Sequence, residues 1–269
     1  MKKITWKQVL WFVVAFALLS AMYKAIKPLI PLNDIKEAKI PFQTMIDITE
    51  KEQIKKETIV KKDVDKLEID IKKSTPKTEI DKEVLKVTEL YKDFKSADVK
   101  HATKLNNLIA KNNVDDAFTI ETYKSLVLID KYINSYENIL NASIEYKQSY
   151  LKNIDRMVKK AKVTLSKEGM TGFNKGFTRT QTKASRLLDS GVTLNQVNLD
   201  FLKNVKQISV NNFFLFENGN FYIQDDRSLE KFNLLVEKQN EATFTYNKNI
   251  EEFESYMKQV IKDGNEFLN

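Results

Sequence analysis

Apolar side chains return every three or four positions over long stretches of this chain, the spacing of helices that bury one face. From about Pro76 to Ala110, Ile80, Val84, Val87, Tyr91 and Phe94 step by four and three, and the rows continue through Asp98 and His101 to Leu105 and Leu108. Thr75 suits the cap and Pro76 the first turn, while Asn112-Asn113 breaks the pattern. A second such run, from near Asp116 to Glu168, carries Leu126, Ile133, Leu140, Leu151, Ile154, Val158, Ala161 and Leu165 on or near one heptad face. At 1.5 Å per residue it predicts a rod of roughly 75 Å, the length of a coiled-coil-like bundle. Gly169 suits its C-terminal cap, and Gly169, Gly172 and Gly176 together predict the main hinge of the chain. Short helices follow, one ending at Gly191 and one opened by Thr193 and Gln196 as a capping box, with Val197, Phe201, Val205 and Ile208 on its apolar face. A closing helix from near Ser228 to Gly264 presents Leu229, Phe232, Val236, Tyr246, Ile250, Phe253, Met257 and Val260.

Four stretches depart from this rhythm. Residues 213–223 read FFLFENGNFYI, two β-prone runs around Asn218-Gly219, which predicts a tight hairpin. Thr49 with Glu52 reads as a capping box before Val60, Val64, Leu67 and Ile71, although LEIDI in the same region alternates like a strand. Residues 24–48 hold Pro28, Pro31 and Pro41 in a mixed, weakly periodic stretch and read as a stalk. Finally, Gln8–Tyr23 is uncharged around the core VLWFVVAFALL, flanked by Lys2, Lys3 and Lys7 before it and Lys24 and Lys27 after it. Sixteen residues make a helix of roughly 24 Å, short for a bilayer core of about 30 Å, but Lys7 and Lys24 can snorkel and Trp6, Trp11 and Tyr23 suit the interfaces. The rival is a cleavable signal peptide, which has the same basic start and apolar middle; LLSAMYKA offers no clean small-x-small cleavage site.

These patterns predict an all-α chain: an elongated antiparallel bundle of long helices with one small β-hairpin, preceded by an N-terminal transmembrane helix. Residues 1–23 form the anchor, 24–75 a stalk that can carry one helix, and 76–269 the bundle, with the hairpin at 213–223. The basic flank stays on the cytoplasmic side and the body is translocated. The expected site is a bacterial inner membrane, single-pass, with secretion after signal cleavage as the alternative.

Composition agrees and excludes much. Six Gly and four Pro in 269 residues suit long helices rather than turn-rich β structure. No Cys is present, which removes disulfides, thiolate nucleophiles and Cys-bound zinc, and a single His, His101, removes most triads and multi-His metal sites. No cofactor or metal is expected. The net charge of +7 hides a segregation: residues 147–206 hold 13 Lys/Arg against 4 Asp/Glu, whereas residues 217–269 hold 6 against 11. The blocks can attract each other, and the basic one can also meet anionic lipid.

Candidate chemistry is thin. Asp98 and His101 lie three apart on an apolar face, and can orient an imidazole, form half of a metal site, or simply make a polar step in the seam. Lys175, Arg179, Lys183 and Arg186 beyond the glycines offer an anion contact, against a plain reading as solvated helix ends. GMTGFNKGFT has neither P-loop nor dinucleotide spacing. Phe213, Phe214, Phe216, Phe221 and Tyr222 crowd the hairpin, which must lean on the bundle or offer an apolar patch to a partner or lipid. Glu251, Glu252 and Glu254 read as a solvated face. No nucleic-acid motif is present.

At residues 199–253 the succession LDFLKN, ISVNNFFLFENGNFYIQD and SLEKFNLLVEKQN resembles the C-terminal part of YiaF-like bacterial envelope proteins. Members of that family are membrane-anchored, with a helical body, an Asn-Gly hairpin and a closing helix. The resemblance implies an envelope setting and supplies no activity. The expected role is a non-enzymatic interaction or scaffolding module tethered to the membrane. The alternative is a carrier holding a lipid or other apolar ligand between its helices, and a hydrolase-like enzyme built on Asp98 and His101 ranks third.

Overall fold

The computed structural model describes residues 36–53, 59–211, 214–217 and 220–268. Among them are seven helices and one two-stranded antiparallel hairpin: α1 (Lys39–Gln53), α2 (Lys61–Lys73), α3 (Glu79–Asn112), α4 (Ile120–Tyr123), α5 (Leu126–Thr164), α6 (Lys167–Val210), β1 (Phe214–Glu217), β2 (Asn220–Ile223) and α7 (Asp226–Leu268). The all-α class with a small hairpin is therefore as the periodicity predicts. The apolar run at 8–23 lies outside the described residues, and no described helix is long and apolar enough to cross a membrane.

The chain divides into two units. The first takes the chain up to Lys104, Tyr146–Leu187 and the chain from Ile250. Within it, Asp93 pairs with Lys160, the Phe94 and Tyr150 rings meet edge to face, and Asp98 bonds Tyr146, so α3 and α5 run antiparallel. Thr180–Tyr256 and Lys183–Glu252 set α6 against α7 in the same manner. Phe42, Met45, Tyr91, Lys95, Tyr150, Phe173 and Phe253 are its largest fully buried side chains.

Phe42 and Met45 overturn part of the stalk. Among the described residues of the stretch 24–75 are two helices, and α1 puts Phe42, Met45, Ile46, Thr49 and Glu52 into the core. Thr49 and Glu52 lie near the end of α1 rather than at the start of a helix, so they are core contacts and not a cap. The alternating LEIDI lies in α2, where Val64 and Leu67 are buried at helical spacing. What fixes α1 is Asp81. Its buried carboxylate accepts the backbone N–H groups of Lys36 and Ala38 (3.1 and 3.2 Å) and of Lys77 (3.4 Å). Burial pushes that carboxyl up, but these backbone bonds outweigh burial and hold it below the usual carboxylate range.

The glycine hinge is also corrected. The break falls at Leu165-Ser166, and α6 runs unbroken through Gly169, Gly172, Gly176 and Gly191. Ser166 caps it, its hydroxyl accepting the Gly169 N–H at 3.0 Å, while the Glu83 carboxylate from α3 accepts the Ser166 N–H at 3.2 Å. A side chain at 169 would meet that carboxylate, since an added Cβ would lie 2.6 Å from Glu83 Oε2. The four glycines are buried with Phe173, Phe177, Thr180, Ala184 and Leu187, and packing on that scale outweighs a propensity cost of about 1 kcal/mol per glycine. Gly264 likewise sits inside α7, against Ile46 of α1.

The second unit takes Leu105–Glu145 and Leu188–Asn249. Here Asp130–Lys206, Glu137–Lys203 and Ser143–Asn195 set α5 antiparallel to α6. The long helix expected from Asp116 is interrupted. Thr119 caps the single turn of α4, and Ser125 accepts the Leu128 N–H to open α5. Phe201 is the centre of the aromatic core, 5.7 Å from the Phe118 ring, 6.2 Å from Tyr123 and 5.1 Å from Phe232.

Replacing Asp81 by Ala strands the amides that tie α1 to the start of α3. We expect a loss of about 1–3 kcal/mol in urea denaturation of the full chain. The loss should shrink as pH falls through the carboxyl's lowered value, because only the ionised carboxylate makes these bonds.

Candidate functional site

A group of buried ionisable side chains lies in the first unit, where α1, α3 and α5 meet. Residues 91, 94, 95 and 98 recur at helical spacing on one face of α3 and are all buried. The Lys95 ammonium donates to both carboxylate oxygens of Glu52 from α1, at 2.6 and 2.8 Å, and lies 3.7 Å from Asp98. Tyr146 of α5 donates to Asp98 at 3.0 Å. Tyr91 and Thr49 share a hydrogen bond at 3.2 Å beside this group.

Two carboxyls thus surround one ammonium out of contact with water. Burial pushes Asp98 up to about 7, opposed by the Lys95 charge and the Tyr146 hydroxyl and reinforced by Glu52. Burial holds Tyr91 and Tyr146 well above the ordinary phenol value, with the nearby carboxylates adding to it. None of Glu52, Lys95 and Asp98 is more than 3% exposed, so no reacting molecule can approach them in this conformation. The group's chemistry is that of a polar clamp joining three helices.

His101 does not join it. It is half-buried on α3 and makes no hydrogen bond or ion pair among the described residues, while Asp98 turns to Tyr146 and Lys95. Periodicity singled out Asp98 but not Lys95 or Glu52. A lysine on an apolar row was the available signal, whereas Glu52 sits 43 residues away on another helix. No group of three or more His, Cys, Asp or Glu among the described residues can hold a metal ion.

The basic set lies on the first unit's part of α6. Lys175 and Arg186 are exposed. Arg179 stacks over the Tyr256 ring at 5.0 Å, and Lys183 lies 5.8 Å from the same ring and 3.7 Å from Glu252. Thr180 shares a hydrogen bond with the Tyr256 hydroxyl at 3.0 Å. Arg179 and Lys183 therefore serve the contact with α7, and Glu252 belongs to it. Glu251 is exposed and Glu254 half-buried.

The hairpin is built as the Asn-Gly pattern predicts, with Glu217 opposite Asn220 and the turn residues 218–219 outside the described set. Phe214 packs within the second unit, its ring stacked on Tyr123 at 6.2 Å and 7°. Phe213 lies outside the described residues, and the register pairs position 216 with 221. On the opposite face Leu215 and Tyr222 stand directly across from each other, 37% and 52% exposed. Near the end of α6 and the start of α7 an open cleft of about 670 Å³ is lined by residues of both helices, Lys206, Arg227 and Lys231 among them; no sequence motif pointed to it.

Asp98 binds its proton more tightly in the fold than in the unfolded chain, where such a carboxyl titrates at about 4. Its contribution to stability is therefore present in full at lower pH and is lost as pH rises toward about 7. Asp98→Asn keeps an acceptor for Tyr146 and cannot titrate. The difference in urea stability between wild type and this variant should fall over that window, and a constant difference would refute the buried-proton account. Lys95→Met takes the ammonium away from the buried Glu52 carboxylate and should cost about 3–5 kcal/mol, with partial rescue by Glu52→Gln in the same chain. Comparison of the chain with protein-family models, with curated proteins and with solved structures finds no match.

Proposed function

We propose that this protein is a membrane-tethered, non-enzymatic interaction or scaffolding module of a bacterial envelope. In this reading residues 8–23 span the inner membrane, the N-terminus is cytoplasmic and the helical body stands on the other side. The anchor and its orientation rest on the apolar run and its lysine flanks. The envelope setting rests on the resemblance of residues 199–253 to YiaF-like proteins.

One observation carries the interaction role. Among the described residues from the end of α6 to the start of α7, Val210, Leu215, Tyr222, Leu229 and Leu234 are large apolar side chains that face solvent. They are drawn from a stretch of only 25 residues, and Leu215 and Tyr222 share one hairpin face. The Leu215–Tyr222 pair is apolar area placed together on one exposed face, and suits a partner's surface better than it suits water. The buried ionisable group supports the same reading, since its side chains are committed to holding α1, α3 and α5.

Photo-crosslinking from position 222 in native membranes, read by mass spectrometry, should capture one stoichiometric protein, and crosslinking from exposed Val163 in the other unit should not. Lipid recovered from position 222 without protein would favour a carrier instead. A reporter fused after Asn269 tests the topology, and cytoplasmic reporter activity would overturn the orientation.

A further inference from the structure

The buried group of α1, α3 and α5 is out of charge balance. Among the described residues it brings two carboxyls, Glu52 and Asp98, to one ammonium, Lys95, and none of the three is more than 3% exposed. Lys95 donates to both oxygens of Glu52, at 2.6 and 2.8 Å, and stands off from Asp98 at 3.7 Å. With both carboxyls ionised, the sealed group would hold excess negative charge away from water. The closed form therefore favours one proton on the pair, and Asp98, farther from the ammonium, is where it sits. The raised Asp98 carboxyl agrees with that count. Glu52 faces Asp98 from α1, Lys95 and Tyr91 from α3, and Tyr146 and Tyr150 from α5, while Asp63 of α2 is close enough to act on Tyr91. Burial holds all three phenols far above their ordinary value, so none of them titrates near neutrality.

When that proton leaves, a contact around the group must slacken, and the fold decides which. α3 and α5 are also joined by the Phe94–Tyr150 ring contact and the Asp93–Lys160 pair. The start of α1 is pinned by Asp81, which accepts the Lys36 and Ala38 amides and, with its carboxyl held low, stays ionised. Farther along α1, Thr44 donates to Asp70 at 2.7 Å and Lys51 to Asp63 at 2.9 Å, both on α2. The last turn of α1 meets α3 through Glu52 on Lys95 and Thr49 on Tyr91. That turn is the part of the assembly that can lift without parting the long helices.

We propose that the last turn of α1 is a pH-set latch, shut on α3 while Glu52 and Asp98 share one proton and working loose, with Asp81 as its pivot, once both are ionised. Loosening admits water to Lys95 and Asp98 and uncovers Tyr91. The latch lies in the first unit and stands whether or not the hairpin face of the second unit meets a partner.

The test is hydrogen exchange of the full chain, read by mass spectrometry and corrected for the intrinsic pH dependence of amide exchange. The shut latch binds the proton more tightly than the open one. Opening should therefore rise by up to about tenfold per pH unit from about pH 4, where such a carboxyl titrates in water, and level off above about pH 7. Between about pH 5 and about pH 7 the amides of residues 49–53 should lose at least about tenfold in protection. Those of residues 150–161 in α5, and of Lys36 and Ala38 at the pivot, should keep theirs. Asp98→Asn cannot titrate and should flatten the change. Glu52→Gln leaves one carboxyl for the ammonium and should flatten it as well, so a folding defect in one variant does not end the test. Constant protection of residues 49–53 over this window, or the same pH dependence in Asp98→Asn, overturns the proposal. So does an equal loss in residues 150–161, which marks unfolding of the whole unit instead of a latch.

Discussion

An ammonium group with two carboxyls around it, closed off from water, constrains the first unit more than any other contact. Lys95 cannot be buried alone, because the desolvation of a lone cation far exceeds what packing returns. Glu52 must therefore be close, so α1 must lie against α3, and Asp98 then needs the Tyr146 hydroxyl, so α5 must lie on the other side. A register slip of one turn in any of the three helices would leave a charge without its partner. Apolar surfaces tolerate many neighbours, but this group tolerates few, and that fixes which helix faces meet.

The second unit solves the same problem with rings and amides. Phe201 gathers Phe118, Tyr123 and Phe232, and Tyr123 hands the stack on to Phe214 of the hairpin. Around it Asn195 bonds Ser143, and Gln239 bonds Asn198 at 2.8 Å. Neutral amides are cheaper to bury than ions and less demanding of geometry. The two units thus differ in how sharply each dictates its own packing.

Periodicity made α3, α7 and the hairpin legible because their signals are local: apolar rows at helical spacing, and an Asn-Gly pair between β-prone runs. The misreadings share a cause. Pro41 and the weak rhythm around it concealed α1, whose burial comes from long-range contacts to Asp81 and Lys95. The glycines of α6 look like a hinge by propensity, yet the helix runs through them, and at Gly169 the Glu83 carboxylate of α3 lies where a side chain would go. Of the sites, Asp98 stood out because a carboxylate interrupts an apolar row. Its partners and the α6–α7 cleft are assembled from distant segments that no spacing rule joins.

Each unit is assembled from separated lengths of chain: the first needs residues before Lys104, the middle of the sequence and the stretch from Ile250. Neither can be cut out as one continuous piece, and a chain truncated before Ile250 would lack a wall of the unit that the earliest described residues begin. During synthesis, α1 with its Glu52 leaves the ribosome long before Phe253 and Met257, which close the same core. The nascent protein must therefore hold an open apolar surface until its final helix emerges, and shielding that surface becomes a task for whatever accompanies the chain through biogenesis.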